Sequence, residues 1–405
     1  MKMVADGAEM WYNRRSIGVL GMKNLDDIRK EINAIDDELT ALFLRRLEIA
    51  RDVAEAKRAS GKPIFDPARE RAILSHVAGK VGAEYENDAR LLFNTLFTIS
   101  RTRQRNMLAR TGSVAEEIVA AQKNTPQSFP SRASVACQGT EGSYSQQAAC
   151  RLFAFPEITF MAHFEDVFRA VEDGKCRYGV LPIENSTAGS VTPVYDLMLK
   201  HNFKIVRAIR QRINHVLLAP RGVKIDDIKE VASHPQALAQ CSEYLMAHKE
   251  WKISPSANTA VAAKAFTAEA EPRKDLAVIA SRACAQLYGL DIIATDIANT
   301  QSNYTRFIVI SKDLEVYRDA QKFTIQLALD HKPGALYGVM AKFAAINVNL
   351  TKLENRPIPG TDFEMQFTFD FEASPGEAQV LRLLTELAED PEVVHFAFLG
   401  AYAET

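Results

Sequence analysis

The sequence predicts a multidomain chain with an all-α part, a two-lobed α/β part and an α+β part, in that order. Three observations carry this. Near the amino terminus, apolar residues recur at alternating steps of three and four, the period of a coiled-coil seam. Beyond a polar, proline-bearing stretch the texture changes to short apolar strands alternating with helices. The carboxy-terminal part then runs strand, helix, strand, strand, helix, strand, the order of a ferredoxin-like sandwich. A chain of 405 residues has room for all three, since single cores stop growing at roughly 250–300 residues.

The first helix is expected over 24–60, about 50 Å long at 1.5 Å per residue, before Gly61 and Pro63 stop it. Its seam is Ile28, Ile32, Ile35, Leu39, Leu42, Ile49 and Val53, and the position between Leu42 and Ile49 is filled by Arg46. A helix this long with such a stripe implies a partner helix. Asp66 followed by Pro67 starts a second helix, an N-cap acceptor before a proline at the first helical position, with Ile73, Leu74, Val77 and Val81 inward. A third is expected over 88–109, with Leu92, Leu96 and Ile99 on one stripe. These make a domain over 22–112, and 113–131 is assigned as a linker because 123–132 is polar with two prolines.

Strands are then expected at 134–137, 158–161, 178–183, 204–209, 216–219, 230–233, 276–280 and 307–311, giving the α/β domain over 132–312. After a linker at 313–321, the last domain (322–405) has strands at 323–329, 349–353, 363–371 and 393–399, helices at 335–345 and 376–388, and a turn at Pro359-Gly360.

Composition narrows the function classes. Hydrophobic residues make up 47% and charged residues 25%, ordinary for a globular protein, and no run approaches the ~20 apolar residues of a membrane span. With 49 Lys plus Arg against 51 Asp plus Glu, no global basic field argues for nucleic acid, and any anion site must be local. The five cysteines, Cys137, Cys150, Cys176, Cys241 and Cys284, are widely spaced with no CxxC pair, which points to a reducing, cytoplasmic setting. Neither metal nor cofactor is expected. Residues 1–21, whose apolar patch is too short for a secretory core, are read as an N-terminal extension.

Arg46 and Lys57 lie eleven residues apart, about three helical turns plus 20°, so both project from one face and could grip one ligand. Arg29 stands about 100° off that face, so a twofold-related partner would have to supply it. With Asp66, Arg69, Glu70, Ser100 and Gln104 these residues resemble, in order and spacing, the all-helical chorismate mutase family over about 25–110. The resemblance implies that Arg46 and a partner's Arg29 hold two carboxylates. It makes Lys57 and Gln104 donors to the breaking ether oxygen, while Arg69 and Glu70 shape the hydroxyl side and Asp66 and Ser100 complete the substrate contacts. A unimolecular pericyclic step suits this set, because restraint and electrostatics are what help it.

In the α/β part, Gly139-Thr-Glu-Gly142-Ser-Tyr144-Ser145 between a strand and a helix offers loop amides to an anion. Pro182-Ile-Glu184-Asn185-Ser186, Ser233-His234-Pro235-Gln236 with Gln240, and Asn303-Tyr304-Thr305-Arg306-Phe307 are similar to prephenate dehydratases over about 132–312. That resemblance implies two lobes like a type II periplasmic binding protein and a cleft with Thr305 as its essential residue. Glu184, Asn185, Ser233, Gln240, Thr259 and Arg306 would be substrate-binding. A threonine hydroxyl is a poor acid, so Thr305 is read as a positioned hydrogen-bond donor or relay. Glu184 is either a proton donor or a carboxylate satisfying loop amides, His234 either an acid or a structural residue, and Arg306 pairs with either a substrate carboxylate or an internal acid.

His331-Lys-Pro333-Gly334-Ala335-Leu336-Tyr337 and Leu353-Glu354-Asn355-Arg356-Pro357 resemble the two phenylalanine-binding segments of the ACT regulatory domain, over about 322–402. Tyr337 stands where valine is usual and Asn355 where serine is usual. The three domains follow the order of the bifunctional chorismate mutase/prephenate dehydratases over about 380 residues. The expected function is conversion of chorismate through prephenate to phenylpyruvate, with feedback inhibition by L-phenylalanine bound at Gly334, Ala335, Leu336, Glu354, Asn355, Arg356 and Pro357. Such binding would require a homodimer or higher homo-oligomer. Two rivals are a dehydratase acting on arogenate, in which an amine replaces the keto group, and a phenylalanine-binding regulator with an inert cleft.

Overall fold

A computed structural model of the chain describes residues 24–106, 113–266, 273–358 and 365–405. The extension at 1–21 and the turn at Pro359-Gly360 lie outside the described residues. The chain divides into two units, Met1–Ala109 and Arg110–Thr405.

The first unit is helical: α1 (Leu25–Ser60), α2 (Pro67–Ala78) and α3 (Glu86–Asn106). Asn24 accepts from the Asp26 amide at the start of α1, Asp26 and Asp27 complement its dipole, and Gly61 ends it in the left-handed region at φ 65°. Asp66 caps α2 by accepting from the Arg69 amide at 3.0 Å. The buried residues of α1 are Leu47, Ala50 and Ala54, where the helix packs on α3. Its earlier seam is exposed among the described residues, with Ile32, Ile35, Leu39 and Leu42 each half exposed or more.

The second unit opens with α4 (Val114–Asn124), in a segment the sequence left as linker. Ser113 caps it and Ile118, fully buried, joins the carboxy-terminal core with Val316 and Phe323. There follow β1 (Arg132–Gln138), α5 (Tyr144–Leu152), β2 (Phe155–Met161), α6 (Phe164–Glu172), β3 (Tyr178–Asn185), β4 (Gly189–Ser190), α7 (Thr192–His201) and β5 (Lys204–Arg212). A second lobe holds β6 (His215–Ala219), β7 (Glu230–Ser233), α8 (Pro235–Gln240), α9 (Ser242–Met246), β8 (Lys252–Pro255), α10 (Thr259–Ala265), β9 (Leu276–Ser281), α11 (Arg282–Tyr288) and β10 (Asp291–Ala294). The chain returns through β11 (Tyr304–Ser311) to the first lobe. It finishes with β12 (Lys322–Leu329), α12 (Ala335–Ala345), β13 (Leu350–Pro357), β14 (Met365–Glu372), α13 (Ala378–Glu389) and β15 (Val393–Glu404).

The first-lobe sheet runs β5-β11-β3-β1-β2 and the second-lobe sheet β10-β6-β9-β7-β8. The carboxy-terminal strands run β13-β14-β12-β15, and α12 and α13 cover their apolar side through Val339, Phe343, Leu383 and Leu384. The end of β15 pairs in parallel with β5, Ala403 opposite Arg207, so the carboxy-terminal and first-lobe sheets are continuous. Gly400 makes that junction possible: at φ 152° a Cβ there would sit 2.2 Å from the Ile205 carbonyl oxygen.

Candidate active sites

In the helical unit, α1, α2 and α3 surround a cavity of about 230 Å³ lined by Arg46, Lys57, Asp66, Arg69, Glu70, Ser100 and Gln104, with Ile49, Val53, Ile73 and Phe97 as its apolar walls. Arg46 Nη1 donates to Ser100 Oγ at 2.6 Å and to the Leu96 carbonyl at 3.1 Å, which fixes the fork while leaving other N–H groups for a ligand. Burial lowers the guanidinium pKa from its ordinary value, with Glu70 pulling the other way, and arginine remains a cation under both influences. Lys57 Nζ donates to the Ile64 carbonyl. The Gln104 carbonyl oxygen is buried and meets no hydrogen-bond partner among the described residues. Arg29 is absent from the cavity lining and pairs instead with Asp26 on the exposed start of α1.

In the second unit a cavity of about 380 Å³ lies between the lobes. The starts of α5, α8 and α10 border it through Ser143 to Ser145, His234 with Gln236, and Asn258 with Thr259. Unpaired amides at helix starts suit an anion, and among the described residues lining this cavity none is charged at neutral pH. Pairing of β3 with β11 puts Asn185 opposite Thr305, so their side chains meet on the cavity face. The Asn185 carbonyl oxygen accepts from the Thr187 and Ala188 backbone amides at 3.1 and 2.9 Å. Its amino group must therefore be the end that meets Thr305 Oγ1 at 2.9 Å. Because the Thr305 oxygen accepts that bond, the hydroxyl keeps its own hydrogen to donate.

Two family models match: chorismate mutase type II over residues 28–105 and prephenate dehydratase over 135–315. The bifunctional chorismate mutase/prephenate dehydratase of Escherichia coli (strain K12) is 32% identical over 368 residues, 89% of this chain and 92% of that protein. This chain belongs to the bifunctional chorismate mutase/prephenate dehydratase family. The arogenate dehydratase/prephenate dehydratase 2 of Arabidopsis thaliana is 38% identical over 64% of this chain and 70% of that protein. Among solved structures, prephenate dehydratase from Arthrobacter aurescens in complex with L-Phe superposes with a TM-score of 0.60 at 28% identity, covering 67% of this chain and 89% of that one. The chain serves phenylalanine biosynthesis, rearranging chorismate to prephenate and then dehydrating and decarboxylating prephenate to phenylpyruvate.

Three residues expected in the dehydratase cleft lie elsewhere. Glu184 and Arg306 sit opposite each other in the same β3–β11 register but on the reverse face, because successive strand residues alternate sides. There the Arg306 fork meets Asp370 at 2.5 Å and the Tyr402 hydroxyl, and Glu404 stands 2.8 Å from its Nε, off the N–H axis. Arg306 thus pairs with internal acids. Glu184 lies 3.5 Å from Arg306 and 3.4 Å from Lys352. Ser233 is wholly buried and donates to the Ile279 carbonyl at 2.6 Å, holding β7 to β9. Asn185, Gln240, Thr259 and Thr305 do line the inter-lobe cavity, and His234 caps α8 by accepting from the Gln236 amide.

In the carboxy-terminal domain, Gly334 starts α12 in the left-handed region at φ 85°, while Ala335 and Leu336 pack on the core. On β13 the alternation turns Glu354 and Arg356 toward the dehydratase lobe. Glu354 meets Ser190 and Lys352, and Arg356 meets Asp196 and the Thr192 carbonyl. Asn355 and Pro357 are exposed on the other side. Two residues escaped the sequence reading. Arg101 grips both Glu70 oxygens at 2.6 Å beside the cavity of the helical unit, a signal present as one more cation on the Ser100–Gln104 helix. His215, which lines the inter-lobe cavity, stands alone in sequence and carries no motif.

Proposed function

We propose that the two cavities are the mutase and dehydratase sites, with the residues that line them in the following roles. In the mutase cavity Arg46 holds one carboxylate of chorismate. Lys57 and Gln104 face the ether oxygen, on which charge grows as its bond to carbon breaks and the new carbon–carbon bond forms. Glu70, fixed by Arg101, and Arg69 shape the hydroxyl side, beside Asp66 and Ser100. The bare stripe of α1 is covered by a second copy in a homodimer, because a contiguous apolar face of this length is a protein interface rather than a solvated surface. That copy brings Arg29 to the other carboxylate.

In the dehydratase cavity the helix starts receive the carboxylates of prephenate. The bond from the ring to the departing carboxylate breaks, its electron pair enters the ring, and the ring C–O bond breaks with its pair on oxygen. Thr305 donates to that oxygen as it leaves, and a solvent proton completes water. The observation that carries this assignment is the Asn185–Thr305 bond, which presents the threonine hydroxyl as a donor.

The βαββαβ domain has the arrangement of a ferredoxin-like ACT domain, and we assign L-phenylalanine to Gly334–Leu336 and Glu354–Pro357 of paired copies. The L-Phe held by the Arthrobacter dehydratase supports this. Isothermal calorimetry with L-phenylalanine tests it: binding that disappears in Arg356→Ala is expected, and no heat at millimolar ligand would remove the assignment. Kinetics with prephenate and arogenate test the substrate, with the larger kcat/KM expected for prephenate.

A further inference from the structure

Two crossovers join the lobes, β5 to β6 at 213–214 and β10 to β11 at 295–303, and they touch where the Ile213 amide donates to the Asn303 carbonyl at 2.8 Å. Asn303 sits at that hinge, only 1% exposed and directly before β11, the strand that carries Thr305. Its side chain faces both lobes. Asn303 Oδ1 meets Asn185 Nδ2 of the first lobe at 2.8 Å, and Asn303 Nδ2 meets Gln240 Oε1, at the end of α8 in the second, at 3.0 Å.

The backbone sets the polarity of these amides. Asn185 Oδ1 accepts from the Thr187 and Ala188 main-chain amides, so Asn185 Nδ2 is the end that donates to Asn303 Oδ1. Asn303 Nδ2 must then donate to Gln240 Oε1, which leaves the Gln240 amino group to donate to Thr187 Oγ1 at 2.8 Å. The Thr187 hydroxyl gives its own hydrogen to Asn185 Oδ1 at 2.7 Å. These four bonds close a ring in which every donor points the same way round, so that each bond polarises the next. The second hydrogen of Asn185 Nδ2 leaves the ring for Thr305 Oγ1 at 2.9 Å. Asn185, Thr187 and Asn303 belong to the first lobe or its hinge and Gln240 to the second, so the ring closes only with the lobes at this separation.

We propose that Asn303 is a positioning residue of the dehydratase, holding α8 of the second lobe in register with the Thr305 hydroxyl of the first. This rests on the assignment of prephenate to the inter-lobe cavity with Thr305 as the donor. His234 and Gln236 put the start of α8 on the cavity wall, while Gln240 at its other end is pinned by the ring. A substrate resting on that wall therefore meets Thr305 at a separation that Asn303 fixes, and a misplacement of about 1 Å is enough to cost about a hundredfold in rate. Asn303 stands behind the residues that line the cavity and acts through Asn185 and Gln240, with no contact to substrate required of it.

The test uses the full-length protein and compares Asn303→Asp with Asn303→Leu. The aspartate keeps an acceptor for Asn185 but, when ionised, sets its second oxygen against Gln240 Oε1, whereas its protonated form has an O–H that can donate there and close the ring again. Burial favours the protonated form and raises the pKa of the new carboxyl into the range of a pH series. The leucine has no donor at any pH. Dehydratase kcat on supplied prephenate is taken relative to wild type at each pH from about 8 down to about 5.5. Both variants should be lowered about tenfold or more at the alkaline end, and acidification should bring Asn303→Asp alone back toward wild type, a recovery that also shows the variant to be folded. A relative kcat in Asn303→Asp that does not change with pH, a recovery shared by Asn303→Leu, or wild-type kcat in Asn303→Leu would overturn the proposal. Thr305→Ala separates the two levels: if that variant dehydrates prephenate at the wild-type rate, the site assignment fails and the proposal with it, whereas an inactive Thr305→Ala beside a flat Asn303→Asp profile removes the role of Asn303 alone.

Discussion

Arg306 Nη1 lies 2.5 Å from Asp370 Oδ2, so the residue next to Thr305 on β11 is anchored in the carboxy-terminal domain. Thr305 faces the cavity and Arg306 the opposite side of the same sheet, and one strand therefore carries both a cavity hydroxyl and the attachment to the carboxy-terminal domain. Any movement of β14 or β15 that pulls on Arg306 is felt one residue from the Thr305 hydroxyl. The Arg306 fork is buried among Asp370, Glu404 and Tyr402, and removing one acid leaves the charge poorly compensated. Asp370→Ala should cost about 3 kcal/mol, read as a lower urea midpoint of the second unit by circular dichroism, and dehydratase activity should fall while mutase activity persists.

At the dehydratase site, Thr305→Ala should lower kcat by about two orders of magnitude or more, the usual worth of a positioned donor. Thr305→Ser retains the hydroxyl and should recover most of the activity. Equal losses in Ala and Ser variants would assign the effect to packing of the methyl group instead.

Gly400 predicts a steric failure. Alanine there would place a methyl carbon 2.2 Å from the Ile205 carbonyl oxygen, and positive φ adds a cost of its own. Gly400→Ala should separate the end of β15 from β5 and destabilise the second unit by about 2 kcal/mol or more. Thermal unfolding measures it, and an unchanged midpoint would show that the junction tolerates a side chain.

Acid should weaken the same junction. Burial works against the charge of Glu404, but Arg306, Lys322 and Arg210 overcome it and hold its carboxyl below the ordinary 4.5. A depressed folded pKa means that the stabilisation is complete above the unfolded value and is lost as pH falls through the folded one. Glu404→Gln should therefore be less stable than wild type at pH 7, by about 2 kcal/mol, and the difference should shrink below about pH 4. A gap that stays constant with pH would mean that shape rather than charge holds Glu404.

Much of this architecture was legible in the sequence. Asp66-Pro67 announced α2, and Arg46 in an apolar seam announced a cation in a cavity. The helix over 335–345 came out with its observed ends. Misplacements have physical causes. Motif adjacency put Glu184 and Arg306 in the cleft, whereas strand alternation sends neighbours to opposite faces, and which neighbour faces the ligand is a tertiary fact. Ser233 sits beside the cleft loop but is spent on joining two strands. The segment 113–124 was passed over because its polarity hid a single buried residue, Ile118, under a Ser113 cap. The short β8 and β10 carry too little pattern to be seen.

The central claim is that two chemically separate sites act in sequence on one chain. Its most direct test follows chorismate, prephenate and phenylpyruvate by chromatography in wild type, Arg46→Ala and Thr305→Ala, at neutral pH with no added cofactor. Wild type should pass chorismate through to phenylpyruvate, Thr305→Ala should stop at accumulated prephenate, and Arg46→Ala should leave chorismate untouched while still converting supplied prephenate. Loss of both activities from either substitution, or phenylpyruvate formed by Thr305→Ala at the wild-type rate, would contradict it.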